Sequence, residues 1–118
     1  MKEILKKRTK QFALRIIKLV DTLPNSRSGD VIGKQVLRSG TSVAANYRAS
    51  CRARSQADFI SKMGIVEEEA DETLFWLELL VESELVKESK LKDLIKEADE
   101  LVAIFTASGK TAKENKKK

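Results

Sequence analysis

Apolar residues recur along most of the chain at intervals of three, four and seven, the signature of helices with one buried stripe. Over about residues 3–22 the stripe is Leu5, Phe12, Ile16, Leu19 and Leu23, with Lys7, Arg8, Arg15 and Lys18 on the opposite side. Pro24 disfavours helix at the residue before it and ends this first segment. A second helix is predicted from Ser28 or Asp30, either of which can cap its first turn, to about Arg54. Its inner stripe reads Ile32, Gln35, Val36, Ser39, Val43, Asn46, Tyr47 and Ser50, which is polar for a bundle interior. Gly40 in its middle costs about 1 kcal/mol relative to alanine. It therefore marks either a kink or a close backbone approach.

Ser55-Gln56-Ala57-Asp58 has the form of a capping box, with Asp in the usual Glu place. It opens a third helix reaching about Ser83, whose main stripe is Phe59, Met63, Val66, Ala70, Thr73, Leu77 and Leu80. Ile65, Trp76 and Leu79, with Phe75 at the border, form a second apolar stripe on another face. One core cannot bury both stripes, so the second points to a partner surface, here a subunit contact. The fourth helix starts near Ser89 and repeats Leu91, Leu94, Ile95, Ala98, Leu101, Val102 and Phe105, with Ser108-Gly109 as its expected stop. These segments predict an all-α protein. Short connections favour an antiparallel up-down four-helix bundle over residues 1–109, followed by a disordered Lys-rich tail, 110–118.

Composition sharpens this picture. With five glycines and one proline in 118 residues, the chain lacks the turn residues an all-β fold needs. No apolar run reaches the ~18 residues of a membrane span. With no signal-like N-terminus and one cysteine, Cys51, the expected setting is the cytoplasm. Charge is unevenly distributed. Residues 1–54 hold thirteen Lys/Arg against three acids, a net +10; residues 55–109 net −9; and residues 110–118 net +4. The basic half can meet polyanions, or the two halves can attract each other within or between chains.

Catalytic signals are missing. Without histidine, triads that use His, zinc sites that use His and the Glu-x-x-His helices of di-iron bundles are excluded. The run Glu67-Glu68-Glu69 with Asp71 and Glu72 reads as a solvated or Arg-paired face, because successive helical residues point different ways. Gly109-Lys110-Thr111 lacks the earlier glycine and the preceding strand of a phosphate loop. Cys51 reads as a packed or half-exposed thiol. No enzyme activity, cofactor or metal is expected.

The second helix carries Gln35-Val36-Leu37-Arg38-Ser39-Gly40-Thr41-Ser42-Val43-Ala44-Ala45-Asn46. This string resembles the Q-x-x-R-S-x-x-S-[IV]-x-x-N signature of the bacterial four-helix bundle family, also known as the 23S rRNA intervening-sequence proteins. Pro24 upstream and Arg54-Ser55-Gln56-Ala57-Asp58-Phe59 downstream fit the same pattern, and the resemblance spans about residues 5–105. One departure stands out. Where many members end the motif in Asn-Ile-Ala-Glu-Gly, this chain reads Asn46-Tyr47-Arg48-Ala49-Ser50, losing an acid and gaining an arginine. The resemblance implies a ring-shaped homo-oligomer, typically a pentamer. It also implies kinship with the accessory variability determinant of diversity-generating retroelements, a basic ring that binds nucleic acid and partners a reverse transcriptase.

The expected function is therefore a non-catalytic oligomeric accessory protein that binds RNA or DNA with low sequence specificity. Lys34, Arg38, Arg48, Arg52 and Arg54 would contact phosphates, aided by Lys7, Arg8, Arg15, Lys18 and the Lys tail. Gln35, Ser39, Ser42 and Asn46, with Arg38, are expected to form a polar network fixing register or a subunit contact. Ile65, Phe75, Trp76 and Leu79 are the expected hydrophobic part of that contact. The alternative is a scaffold whose charges serve self-assembly or docking of a protein partner such as a reverse transcriptase.

Overall fold

The computed structural model describes residues 1–117. Its four helices are α1 (Lys2–Asp21), α2 (Arg27–Ser50), α3 (Gln56–Glu82) and α4 (Glu88–Lys117), with no strand among the described residues. Cross-helix pairs run in opposed directions. Gly40 and Gly33 of α2 face Ile16 and Val20 of α1. Arg38 of α2 meets Glu72 of α3 while Arg48 shares a cleft with Asp58 and Lys62, and Gln56 and Glu67 of α3 meet Ala112 and Thr106 of α4. Consecutive helices are thus antiparallel neighbours. The fourth side, α1 against α4, touches much less and is bridged by Arg8 and Glu97.

The predicted stripes close the core. Phe12, Ile16, Val36, Val43, Val66, Leu77, Leu80, Leu101 and Phe105 are each at most 1% exposed. Tyr47 lies among them, its ring centroid 5.5 Å from that of Phe105. Burial pushes its phenol pKa up, with a smaller contribution from neighbouring Cys51.

Helix ends depart from the sequence reading in three places. The cap of α2 is Ser26, whose Oγ accepts from the Gly29 N–H at 3.0 Å, and neither Ser28 nor Asp30 takes that role. Ser26 wins because it alone holds the extended conformation an N-cap requires. The helix stops at Ser50. Arg52 and Ala53 then close tighter i→i+3 bonds to Ala49 and Ser50, which places Arg52 and Arg54 on the connection and off the helix. The capping box does form. Ser55 Oγ accepts from Asp58 N–H, and Asp58 returns the bond one residue early, to the Arg54 N–H at 3.1 Å.

The expected stop at Ser108-Gly109 is absent, and α4 continues through residues 110–117. The reason is packing. Gly109 and Ala112 are buried against α3, and Gln56 Nε2 donates to the Ala112 carbonyl at 3.1 Å. Residue 118 of the expected tail lies outside the described residues. Gly40 likewise resolves to one of its two readings. α2 is continuous there, and the glycine admits the Ile16 side chain of α1.

Candidate nucleic-acid interface

The second helix exposes its basic side between α1 and α3. On the α3 side, Ala45, Arg48, Ala49, Arg52 and Arg54 line an open cleft with Asp58 and Lys62. On the α1 side, Thr41, Ala44, Ala45 and Arg48 line a second cleft with Glu3, Lys6, Lys7, Lys10 and Ala13. Ala45 and Arg48 belong to both, so the two clefts form one groove. Its small floor residues let a ligand approach the backbone while long cationic side chains stand at the rim.

Ion pairing separates the expected phosphate ligands. Arg38 donates to Glu72 at 2.6 Å and to Glu69 at 3.2 Å, a clasp between α2 and α3. These bonds raise the Arg38 pKa and, chiefly through the Arg38 hydrogen bond, lower that of Glu72. Arg8 is bound in the same way, bidentate to Glu97 of α4 at 2.5 and 3.1 Å. Both guanidiniums are therefore structural. Arg48, Arg52, Arg54, Lys7 and Lys10 have no carboxylate within 4.0 Å among the described residues. Lys34, Arg15 and Lys18 are exposed but line neither cleft.

Two acids lie in the groove and both are matched. Asp58 accepts from Lys62 Nζ at 2.6 Å, and this bond, with the Arg54 N–H, holds its carboxyl below the ordinary range. Glu3 pairs with Lys6 at 3.3 Å. Lys6, Lys10 and Lys62 were not singled out in the sequence. Lys6 and Lys10, four residues apart, carry the helical spacing that places them on one side. Lys62 joins the groove only because α3 turns back beside Arg52.

The polar motif residues divide into two sets where one network was expected. The hydroxyls of Ser39 and Thr73 share a hydrogen bond at 2.9 Å across α2 and α3, both fully buried. Asn46 turns inward to its own helix, its Nδ2 donating to the Ser42 carbonyl and hydroxyl at 2.9 and 2.8 Å. Gln35 is half-buried and takes part in neither set. The acidic run of α3 also disperses. Glu69 and Glu72 face Arg38, while Glu67 accepts from Thr106 Oγ1 at 3.0 Å.

The second apolar stripe of α3 is split as well. Trp76 and Leu79 are half-buried against the core, and Trp76 Nε1 donates to Glu72 at 3.2 Å. Ile65 and Phe75 remain 42% and 53% exposed.

Residues 2–107 match the family described as 23S rRNA-intervening sequence protein. The chain belongs to this family. A solved member of the S23 ribosomal protein family, from Bacteroides thetaiotaomicron and of unknown function, is 38% identical to it, with a TM-score of 0.85 over 93% of this chain and 99% of that one. No curated protein matches it significantly. In α2, Arg38 and Ser39 tie the helix to α3 through the Arg38 clasp and the Ser39–Thr73 pair. Thr41, Ala44 and Ala45 of the same helix, with Arg48 and the residues after it, line the groove. No helix among the described residues is long and apolar enough to cross a membrane.

Proposed function

We propose that this family member is a non-catalytic accessory protein that binds nucleic acid through the α1–α2 groove, with little sequence specificity. The carrying observation is the sorting of cations. The fold matches Arg8 and Arg38 with carboxylates and leaves Arg48, Arg52, Arg54, Lys7 and Lys10 unmatched around one groove. Unmatched cations at a concave surface favour phosphate, and a chain of point contacts to phosphates carries no base information. The departure Arg48-Ala49-Ser50 places an arginine at the centre of the groove and removes an acid from beside it.

The test is anisotropy of a labelled duplex RNA with Arg48→Glu/Arg52→Glu, alongside light scattering of the same variant. Loss of binding by at least about tenfold with unchanged particle mass supports the reading. Wild-type affinity in the variant contradicts it.

A second observation favours self-association. Ile65 and Phe75 stand exposed on α3, and a Cβ added at Gly64, next to Ile65, would meet nothing within 4 Å. Exposed large apolar side chains beside an uncrowded glycine are suited to contact with another helix. We therefore propose that the protomers assemble through this face, in a closed ring. Phe75→Glu should then lower the particle mass. An unchanged mass would rule out this face.

A further inference from the structure

The basic groove does not end at Arg54. Arg54 also lines a third cleft, shared with Lys2, Cys51, Gln56 and Phe59. Gln56 and Phe59 in turn line a fourth, against Thr111, Ala112 and Asn115 of α4. Each cleft shares residues with the next. Their shared lining residues trace a path, a trough in outline, that leaves the α1–α2 groove, turns around one end of the bundle, and finishes on the last turns of α4. The final limb exists only because α4 runs past Ser108-Gly109 and is tied down by the Gln56–Ala112 bond.

The chemistry of the trough changes along its length. The first limb is cationic. At the turn sits Phe59, half-buried, with part of its ring packed on the core and the rest lining two clefts. Beside it Gln56 donates one of its two amide N–H groups to the Ala112 carbonyl, and its amide oxygen accepts no hydrogen bond among the described residues. The last limb is lined by small and neutral polar side chains. Phosphate-only recognition needs no aromatic surface and no free amide oxygen. Base recognition uses both, a ring face for stacking and an acceptor for a base N–H.

We infer that the trough takes a single-stranded nucleic-acid segment. Its phosphates follow Arg48, Arg52 and Arg54, and an unpaired base stacks on Phe59 with its edge toward Gln56. A duplex keeps its base faces stacked on one another and offers none to Phe59. A strand that must bend around the end of a bundle also has to be flexible. This inference rests on the nucleic-acid reading above and narrows it to one strand state.

The test compares a labelled oligouridylate of about 12 nucleotides, within the ~4–16 nucleotide footprints of single-strand sites, with a duplex of the same length. The wild type should prefer the single strand. Phe59→Leu keeps apolar volume in the core and should lower single-strand affinity about fivefold or more, leaving duplex affinity unchanged. Thr111→Glu/Asn115→Glu changes only exposed positions on the far limb, so folding is not at stake. It should weaken the single strand several-fold by like-charge repulsion. A wild type that prefers the duplex, or unchanged single-strand affinity in both variants, overturns the trough and leaves the general reading standing. A wild type that binds neither probe overturns both.

Discussion

A methyl group added at Gly40 tests how closely α1 and α2 are packed. An ideal Cβ there lies 2.8 and 2.9 Å from Ile16 Cγ1 and Cγ2 and 3.2 Å from Ile16 Cβ. Carbon atoms settle at about 3.5–4.0 Å, so the deficit approaches 1 Å. Ile16 is fully buried, and all three contacts lie at or next to its branch point, so no rotamer change frees the space. The helices must part, or the isoleucine must strain. Overpacking of this kind costs about 1–3 kcal/mol. Against it stands a gain of about 1 kcal/mol in helix propensity for alanine over glycine. The net expectation for Gly40→Ala is a loss of up to about 2 kcal/mol, read from urea unfolding followed by circular dichroism. Gly64→Ala is the matched control. It lies mid-helix with nothing within 4 Å, so the propensity gain should appear undiminished when the protomers are apart. If Gly40→Ala gains as much stability as Gly64→Ala, the close approach is not what holds glycine at this position.

Other expectations follow from single contacts. Ser39→Ala should cost about 0.5–1.5 kcal/mol in the same assay, because it removes a buried hydroxyl partner while Thr73 keeps its bond to the Glu69 carbonyl. Glu84 ends α3 in the left-handed region, at φ 65°, so Glu84→Gly should raise stability by up to about 1 kcal/mol; a loss would mean the side chain makes an unrecognised contact. Arg38 lowers the Glu72 pKa, so the folded form takes up that proton less readily than the unfolded one. The stabilisation from the clasp is complete above the ordinary glutamate pKa of about 4.3 and is lost as pH falls through the lower folded value. Melting temperature should accordingly fall less steeply over this acid range in Glu72→Gln than in the wild type, and parallel profiles would count against the clasp.

Much of the architecture was legible in the sequence. The heptad-like spacing of Leu5, Phe12 and Ile16, and of Leu94, Leu101 and Phe105, picks out residues that are buried in the fold, since burial is what the period encodes. The helix ends were read less well. Ser26, Ser28 and Asp30 are all competent caps, and backbone conformation chooses between them. Gly109 is a stop signal in isolation, yet packing of Ala112 and the Gln56 bond override it. The candidate interface was half visible. Arg48 and Arg52 announced themselves by charge, but charge alone could not show that Arg38 and Arg8 are bound by Glu72 and Glu97 at helices distant in sequence. The trough around Phe59 was invisible for the same reason. It depends on α4 reaching a surface formed by the start of α3, and Phe59 in sequence is simply the first core residue of its stripe.

Nucleic-acid binding by the wild-type protein across a salt series decides whether the groove meets phosphates. Five cations of the groove, Lys7, Lys10, Arg48, Arg52 and Arg54, are without carboxylate partners among the described residues. At about 0.7 per contact to a single strand and 0.9 to a duplex, the plot of log K against log salt should fall with a slope of about −3 to −5 per protomer engaged. A slope near zero, or no binding even at low salt, would contradict the assignment of this groove to phosphates.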